Sequence, residues 1–260
     1  MQIAFFKYQG TGNDFILVDN RQSFFPKKDT KLVHRLCDRR FGIGADGLIL
    51  LENDSSADFN MVYFNADGQP GSLCGNGGRC IVSFARHLGI IEGNTTFRAV
   101  DGLHEATLEG ELISLKMNDV RQLRQKPHYV FLDTGSPHHV QLVEHLDTLD
   151  VQEEGQRIRY GLYGKKGSNI NFVEPTQNGR FSVRTYERGV EGETLSCGTG
   201  VTAVALAMFH LGKTDKTQVE IETKGGMLQV NFEPNGTAYR NIYLKGPARQ
   251  VFKGNLDVES

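Results

Sequence analysis

CGNGGRCIVSFARHLG at residues 74–89 and CGTGVTAVALAMFHLG at 197–212 decide how this chain is read. At an offset of 123 they coincide at Cys74/Cys197, Gly75/Gly198, Gly77/Gly200, His87/His210, Leu88/Leu211 and Gly89/Gly212, six identities in 16 positions without a gap. Most other pairs are small or apolar in both copies. Upstream, MVYFNADG (61–68) parallels SVRTYERG (182–189), each a short strand running into a Gly turn. One repeat at half the chain length predicts two related halves, because a solenoid needs three or more units. Both copies read as helices, over 76–89 and 199–212. Each closes on Gly past its last turn, with a His near the negative end of the helix.

Working outward, strands are predicted at 3–8, 14–19, 47–52, 59–65, 96–101, 104–109 and 111–117. In the second half they are predicted near 128–133, 168–174, 179–186, 217–223, 227–233 and 239–245. Segment 29–40 reads as a helix with Asp29 as N-cap and Leu32, Val33, Leu36 and Cys37 on one face. Ser136 followed by Pro137 reads as the start of a second helix, 137–146. Strands dominate, so the expected class is α+β, not a doubly wound parallel sheet. The polar run 118–127 marks the expected boundary, giving an N-terminal half 1–120 and a C-terminal half 121–247.

With 29 Lys+Arg against 31 Asp+Glu, the net charge of −2 removes the case for a dedicated nucleic-acid binder. No run approaches the roughly 18 apolar residues of a membrane helix. The start, MQIAFFKYQG, has no basic segment followed by an apolar one, so no secretory signal is expected. Four cysteines in 260 residues do not make a disulfide scaffold and suggest working thiols in a reducing compartment, the cytoplasm.

FGIGADG (41–47) has the G-x-G-x-x-G spacing, but a helix precedes it and the apolar LILLE follows. That is the reverse of a dinucleotide site, so Gly42, Gly44 and Gly47 read as turn glycines. No Cys-x-x-Cys or His-Glu-x-x-His occurs, and Cys74 and Cys80 fall on different helix faces, so no metal site is expected. His34, His104, His128 and His145 read as structural or surface residues. Cys37 and Cys80 read as small buried hydrophobes.

Cys74 and Cys197 are different. Each stands just before a helix, where N–H groups lack intrahelical partners and the dipole is positive, which favours thiolate. If a pseudo-twofold axis relates the halves, the two helix starts can flank one molecule. One thiolate then removes a proton from a carbon while the opposite thiol delivers one to the other face, inverting a stereocentre. The helix starts would hold the adjacent carboxylate. This predicts an α-proton racemase or epimerase that needs no cofactor. A redox pair is disfavoured, because two separate Cys-Gly-x-Gly elements suit it poorly. An amino acid-binding protein would leave the matched thiols without purpose.

KYQGTGNDF (7–15), RRFGIGADG (39–47), FNADG (64–68), CGNGGRC (74–80), SPHHV (136–140), SNINFV (168–173), YERGVEGETLSCGTG (186–200) and GPARQVF (246–252) together resemble the diaminopimelate epimerase family over almost the whole chain. Proline and hydroxyproline racemases differ in having Cys-Gly-His where this chain has Cys74-Gly75-Asn76. The resemblance implies two pseudo-symmetric domains, each with β-strands wrapped around a central helix. It also implies a homodimer and a last strand, about 248–260, returning to the first domain. It implies Cys74 and Cys197 as acid/base thiols, and Gly75, Asn76, Gly198 and Thr199 as the carboxylate cradle. Asn13, Asn65, Asn169, Glu187 and Arg188 are implied as substrate-binding, with His138 and Glu187 tuning the thiols. Activity on LL-diaminopimelate without pyridoxal phosphate, for lysine and peptidoglycan synthesis, is implied too. A substrate with an amino acid head at each end suits Arg188 beside Glu187 and several Asn. Two departures stand out: Ser136 where the family often has Asn, and Gly47 where some members have Gln. Each removes a possible substrate hydrogen bond.

Overall fold

The computed structural model describes residues 2–71, 74–177 and 179–258. They make two compact units: one runs to Leu115 and resumes at Pro247, the other is Lys116–Gly246.

The first unit contains β1 (Gln2–Gly10), β2 (Asn13–Asp19), α1 (Thr30–Cys37), β3 (Gly47–Glu52), β4 (Phe59–Asn65), α2 (Gly75–His87), β5 (Thr95–Ala99), β6 (Gly102–Glu109) and β7 (Leu112–Lys116). The second contains β8 (Arg124–Gln125), β9 (Val130–Asp133), β10 (Pro137–Leu142), α3 (Val151–Tyr163), β11 (Asn169–Pro175), β12 (Phe181–Glu187), β13 (Gly192–Thr194), α4 (Gly198–His210), β14 (Gln218–Thr223), β15 (Gly226–Asn235) and β16 (Ala238–Pro247). The last strand, β17 (Arg249–Asp257), pairs antiparallel with β1.

The pairings repeat. In the first unit β1–β2 is antiparallel, β2–β3 parallel, β3–β4 antiparallel and β4–β5 parallel, and β5, β6 and β7 form a meander. In the second, β9–β10, β10–β11, β11–β12 and β12–β14 follow the same alternation, and β14, β15 and β16 the same meander. Even β17 beside β1 has its counterpart in β8 beside β9. A parallel neighbour requires a crossover, supplied by α1 between β2 and β3 and by α3 between β10 and β11.

Each unit is built on one helix. Around α2 pack β1, β2, β3 and β17; around α4 pack β9, β10, β11, β12, β14 and β15. Val201 and Ala203–Met208 are buried on every side of α4, within a core that includes Val140, Val173, Val183, Ile221, Val230 and Leu244. These are the expected central helices and α+β class. No helix among the described residues is long and apolar enough to cross a membrane. Nor do three His, Cys, Asp or Glu side chains there form a group that could hold a metal.

One predicted element is overturned. Residues 137–146 are not a helix: Pro137–Leu142 is a central strand between β9 and β11, and only a 3₁₀ turn, Leu146–Thr148, follows. Ser136-Pro137 resembles a helix start locally, but pairing on both edges outweighs that preference. Conversely, α3 was not expected. Its buried stripe is Val151, Gly155, Ile158 and Arg159, so a glycine and an arginine occupy positions where an amphipathic pattern shows apolar residues. Helix 29–40 is shorter than expected, ending at Cys37, though Asp29 does cap it by accepting from Leu32 N at 2.9 Å.

Gly155 lets α3 lie against β12: a Cβ there would stand 2.4 Å from Tyr186 Cβ. Gly155→Ala is therefore expected to cost about 1–3 kcal/mol, read as a lowered Tm; an unchanged Tm would show that α3 can lift at no cost.

His138 and His139 point to opposite faces of β10 and are both buried. Burial pushes the His138 imidazole down to about 3, helped by the Arg188 charge, and burial pushes His139 down to about 4. Both stay neutral when folded, whereas unfolded histidines protonate near 6.5. Above that pH they contribute no pH dependence. As pH falls from about 6.5 towards 4, the unfolded chain takes up protons that the folded one refuses, so stability drops by about 1.4 kcal/mol per pH unit per histidine. Urea midpoints of His139→Asn against the parent between pH 4.5 and 7.5 should show a shallower acid slope in the variant; equal slopes would contradict the neutral buried form.

Candidate active site

Cys74 and Cys197 are the N-cap residues of α2 and α4. The two helix starts are built alike. Gly78 N donates to Cys74 O at 2.7 Å and Val201 N to Cys197 O at 2.8 Å. The far ends match as well: Leu88 and Leu211 cap with φ −79° each, and Gly89 and Gly212 follow at φ +70° and +65°. Both helices are 13 residues long. Neither thiol caps its own first-turn amides, and the N–H groups of Gly75, Asn76, Gly198 and Thr199 sit at the positive helix ends.

Glycine at the third helical position is enforced by contact. A Cβ on Gly77 would meet Ile49 Cδ1 of β3 at 3.2 Å; one on Gly200 would meet Asn171 Oδ1 of β11 at 2.5 Å. Asn171 Oδ1 thus leaves no room for a side chain at 200, while one at 77 would need Ile49 Cδ1 to give by a few tenths of an ångström.

In the first unit, Cys74 Sγ is 3.5 Å from Asn13 Oδ1, which also accepts from Asn76 Nδ2 at 3.3 Å. Asn13 Nδ2 donates to Asp46 Oδ2, fixing which end of the amide faces the sulfur. Beside Asn13, Asp14 is gripped by Lys7 at 2.7 Å and by Arg39 at 2.7 Å. Burial alone would raise its pKa, but those cations hold its carboxyl down at about 2. Asn65 is exposed at the end of β4. Gly47 opens β3, and a Cβ on it would stand 2.5 Å from Tyr63 Cε2. The tyrosine ring fills the space that a side chain at 47 would need.

In the second unit, Cys197 Sγ lies 3.5 Å from Thr199 Oγ1, and Thr134 Oγ1 donates to Thr199 O at 3.0 Å. Asn169 is held at both ends: Nδ2 donates to Ser136 Oγ at 2.9 Å and to Pro137 O at 3.1 Å, while Oδ1 accepts from Arg188 N at 2.9 Å. Arg188 Nη2 reaches Ser136 Oγ at 3.4 Å. The short Ser136 therefore still joins the polar group around Arg188. Glu187 ends β12 beside it. His138 receives a hydrogen bond on Nδ1 from Asn171 Nδ2 at 3.2 Å, which places its proton on Nε2. That nitrogen is buried and has no hydrogen-bond partner among the described residues.

Cys37 and Cys80 are buried, and burial pushes Cys37 up to about 12 and Cys80 higher still. Both are buried in the core, as expected. In FGIGADG no helix follows the glycines; Gly42 and Gly44 lie in the connection before β3 as read, whereas Gly47 is the first residue of that strand and not a turn glycine.

Two features escaped the sequence reading. The turns Thr11-Gly12-Asn13 and Thr134-Gly135-Ser136 are a second repeat, again 123 apart, with Gly12 at φ +86° and Gly135 at +100°. Asn13 and Ser136 are therefore equivalent positions; the shared Thr-Gly was the available signal. The second is Arg79, whose guanidinium is fully buried.

The family model for diaminopimelate epimerase matches residues 5–121 and 130–251. The diaminopimelate epimerase of Flavobacterium psychrophilum is 59% identical over 253 residues, covering 96% of this chain and 99% of the relative. That of Chlorobaculum tepidum is 47% identical, covering 95% and 98%. Among solved structures, a PhzF-family phenazine biosynthesis protein from Bacillus anthracis superposes with TM-score 0.81 at 16% identity, covering 99% of this chain and 100% of that one. A hydroxyproline epimerase from Agrobacterium vitis gives TM-score 0.70 at 14% identity, covering 98% and 92%. At such identities these two show a shared fold. The two thiol-capped helices, the length of the family match and the near-complete overlap with its members lead to one conclusion: this chain belongs to the diaminopimelate epimerase family of isomerases.

Proposed function

We propose that this chain interconverts LL- and meso-2,6-diaminopimelate by a two-thiol acid/base mechanism without pyridoxal phosphate, supplying lysine and peptidoglycan precursors in the cytoplasm as a homodimer. The observation that carries the reading is the pair of cysteines at the N-caps of two matched, buried helices.

An α-proton next to a carboxylate is only weakly acidic, so its removal needs a nearby base and stabilisation of the charge that develops on the carboxylate. The helix-start amides of Gly75, Asn76, Gly198 and Thr199 supply donors preorganised for that charge. One cysteine acts as thiolate base and the other as thiol acid, and their roles exchange in the reverse direction. The scheme requires both sulfurs to reach one carbon from opposite faces. Arg188 pairs with the distal carboxylate, while Glu187 and the Asn13, Asn65 and Asn169 amides supply acceptors for the distal ammonium. His138 is neutral, so it does not act on a thiol as a cation. The family assignment and the relatives named diaminopimelate epimerase support this substrate.

In D₂O the product is expected to carry deuterium at the inverted carbon, with no response to added pyridoxal phosphate. Product free of solvent deuterium over many turnovers would sink the scheme. Cys74→Ser and Cys197→Ser are each expected to lose at least 10²–10⁴ in epimerisation rate, about 3–5 kcal/mol of barrier. Cys37→Ser and Cys80→Ser should keep the activity at a stability cost of about 1–3 kcal/mol. Near-parental rates from either of the first two would refute the thiol pair.

A further inference from the structure

Arg79 lies one turn into α2 with no exposed surface. Its Nη1 donates to Gly75 O at 3.3 Å; Nη2 donates to Asn76 Oδ1 at 2.9 Å and Thr11 Oγ1 at 3.1 Å; Nε donates to Pro247 O at 3.4 Å. All four acceptors are neutral, and no carboxylate pairs with it among the described residues. A guanidinium keeps its charge even when buried, and burying a charge without a counter-ion is costly. The same place in the second unit, 123 residues on, is Thr202, whose Oγ1 donates to Gly198 O at 3.0 Å. Gly198 is the equivalent of Gly75. One peptide carbonyl is therefore held by a buried cation in one unit and by a neutral hydroxyl in the other. Pulling on Gly75 O polarises the peptide that joins it to Asn76, and so strengthens Asn76 N–H as a donor at the helix start.

We propose that Arg79 is a positioning residue that makes the start of α2 a stronger anion site than that of α4, and so holds Cys74 as the resting thiolate. This rests on the reading of Cys74 as an acid/base group. Two thiols lie in the electrostatic reach of Arg79, Cys80 and Cys74. Cys80 is fully buried and pushed far up, which leaves Cys74 to carry the negative charge.

The other groups around α2 do not cancel this. From β1, Tyr8 is pushed up to about 12 by burial and stays neutral, and Lys7 is committed to Asp14. From β2, Asp14 is neutralised by Lys7 and Arg39. From β3, Glu52 pairs with Lys27. From β17, Arg249 pairs with Glu111 at the surface, and Lys253 is exposed. Asn13 Oδ1 accepts from the thiol form of Cys74 and opposes ionisation, but it is a neutral dipole against a full charge. On β10, which packs beside α4, His138 and His139 are neutral, and β12 ends on Glu187 with Arg188 next in the turn; no buried arginine stands at the Thr202 position.

The test is iodoacetamide alkylation across pH, with peptide mapping to follow Cys74 and Cys197 separately, on the substrate-free full chain. In the parent protein the Cys74 midpoint is expected below that of Cys197; the reverse order overturns the proposal. Arg79→Met should raise the Cys74 midpoint by about one unit and leave Cys197 in place. Arg79→Lys, keeping the charge but not the forked donors, should fall between. A folded Arg79→Met with an unchanged Cys74 midpoint also overturns it. Should that variant fail to fold, the parent order and Arg79→Lys decide. Epimerisation by the parent is measured separately, so a failed function and a failed role for Arg79 give different results.

Discussion

A helix that starts in the interior of a protein leaves N–H groups that must meet something negative, and everything assigned to this chain follows from having two such starts. Both are reached by making the third helical residue glycine. Gly77 admits Ile49 of β3, and Gly200 admits Asn171 of β11. That close approach brings a strand against the helix start. The same strand pairs with β4 or β12, whose ends carry Asn65 or Glu187. Substitution of Gly200 would displace the Asn171 side chain, which bonds His138 and Thr185.

The two units repeat in backbone and differ in polar chemistry. Thr11-Gly12-Asn13 matches Thr134-Gly135-Ser136, Gly47 matches Asn169 in strand register, Asn65 and Glu187 end the corresponding strands β4 and β12, and Arg79 matches Thr202. The second unit collects Ser136, Asn169 and Arg188 in one hydrogen-bonded group. The first collects a buried cation and an amide chain at its thiol. The scaffold is thus repeated while the polar residues on it diverge.

Much of this was legible in the sequence because it is written in local signals. Cys-Gly-x-Gly followed by a small apolar helix is visible as text, and so is the His-Leu-Gly that ends it. Asp29 as an N-cap is equally local. The failures came where non-local pairing overrode such signals. Ser136-Pro137 has the form of a helix start, yet the segment is gripped on both edges by β9 and β11. Helix α3 hides because Gly155 and Arg159 stand in its buried stripe, each for a tertiary reason: Gly155 to admit Tyr186, Arg159 to reach Gly164 O and Glu191. The repeat held the missing information, since α1 bridges one parallel pair and its counterpart had to bridge the other. Arg79 was not legible, because an arginine inside a glycine-rich motif shows neither its burial nor its lack of a carboxylate.

The choice of cysteine at the two buried starts gains force from the helices that do not use it. Asp29 caps α1 and Asp150 caps α3, accepting from Leu32 N and Glu153 N at 2.9 Å each. A carboxylate cap consumes a first-turn amide and keeps its charge tied there. At α2 and α4 the N-cap side chain is a thiol that makes no such bond to its own helix. Sulfur is a poor acceptor, so the amides stay directed at whatever anion arrives, while the positive helix end still favours thiolate. A carboxylate in the same place would satisfy the helix, and in doing so would occupy the donors that an incoming carboxylate needs. The chain thus closes α1 and α3 with aspartate, and starts α2 and α4 on a cysteine that makes no side-chain cap bond.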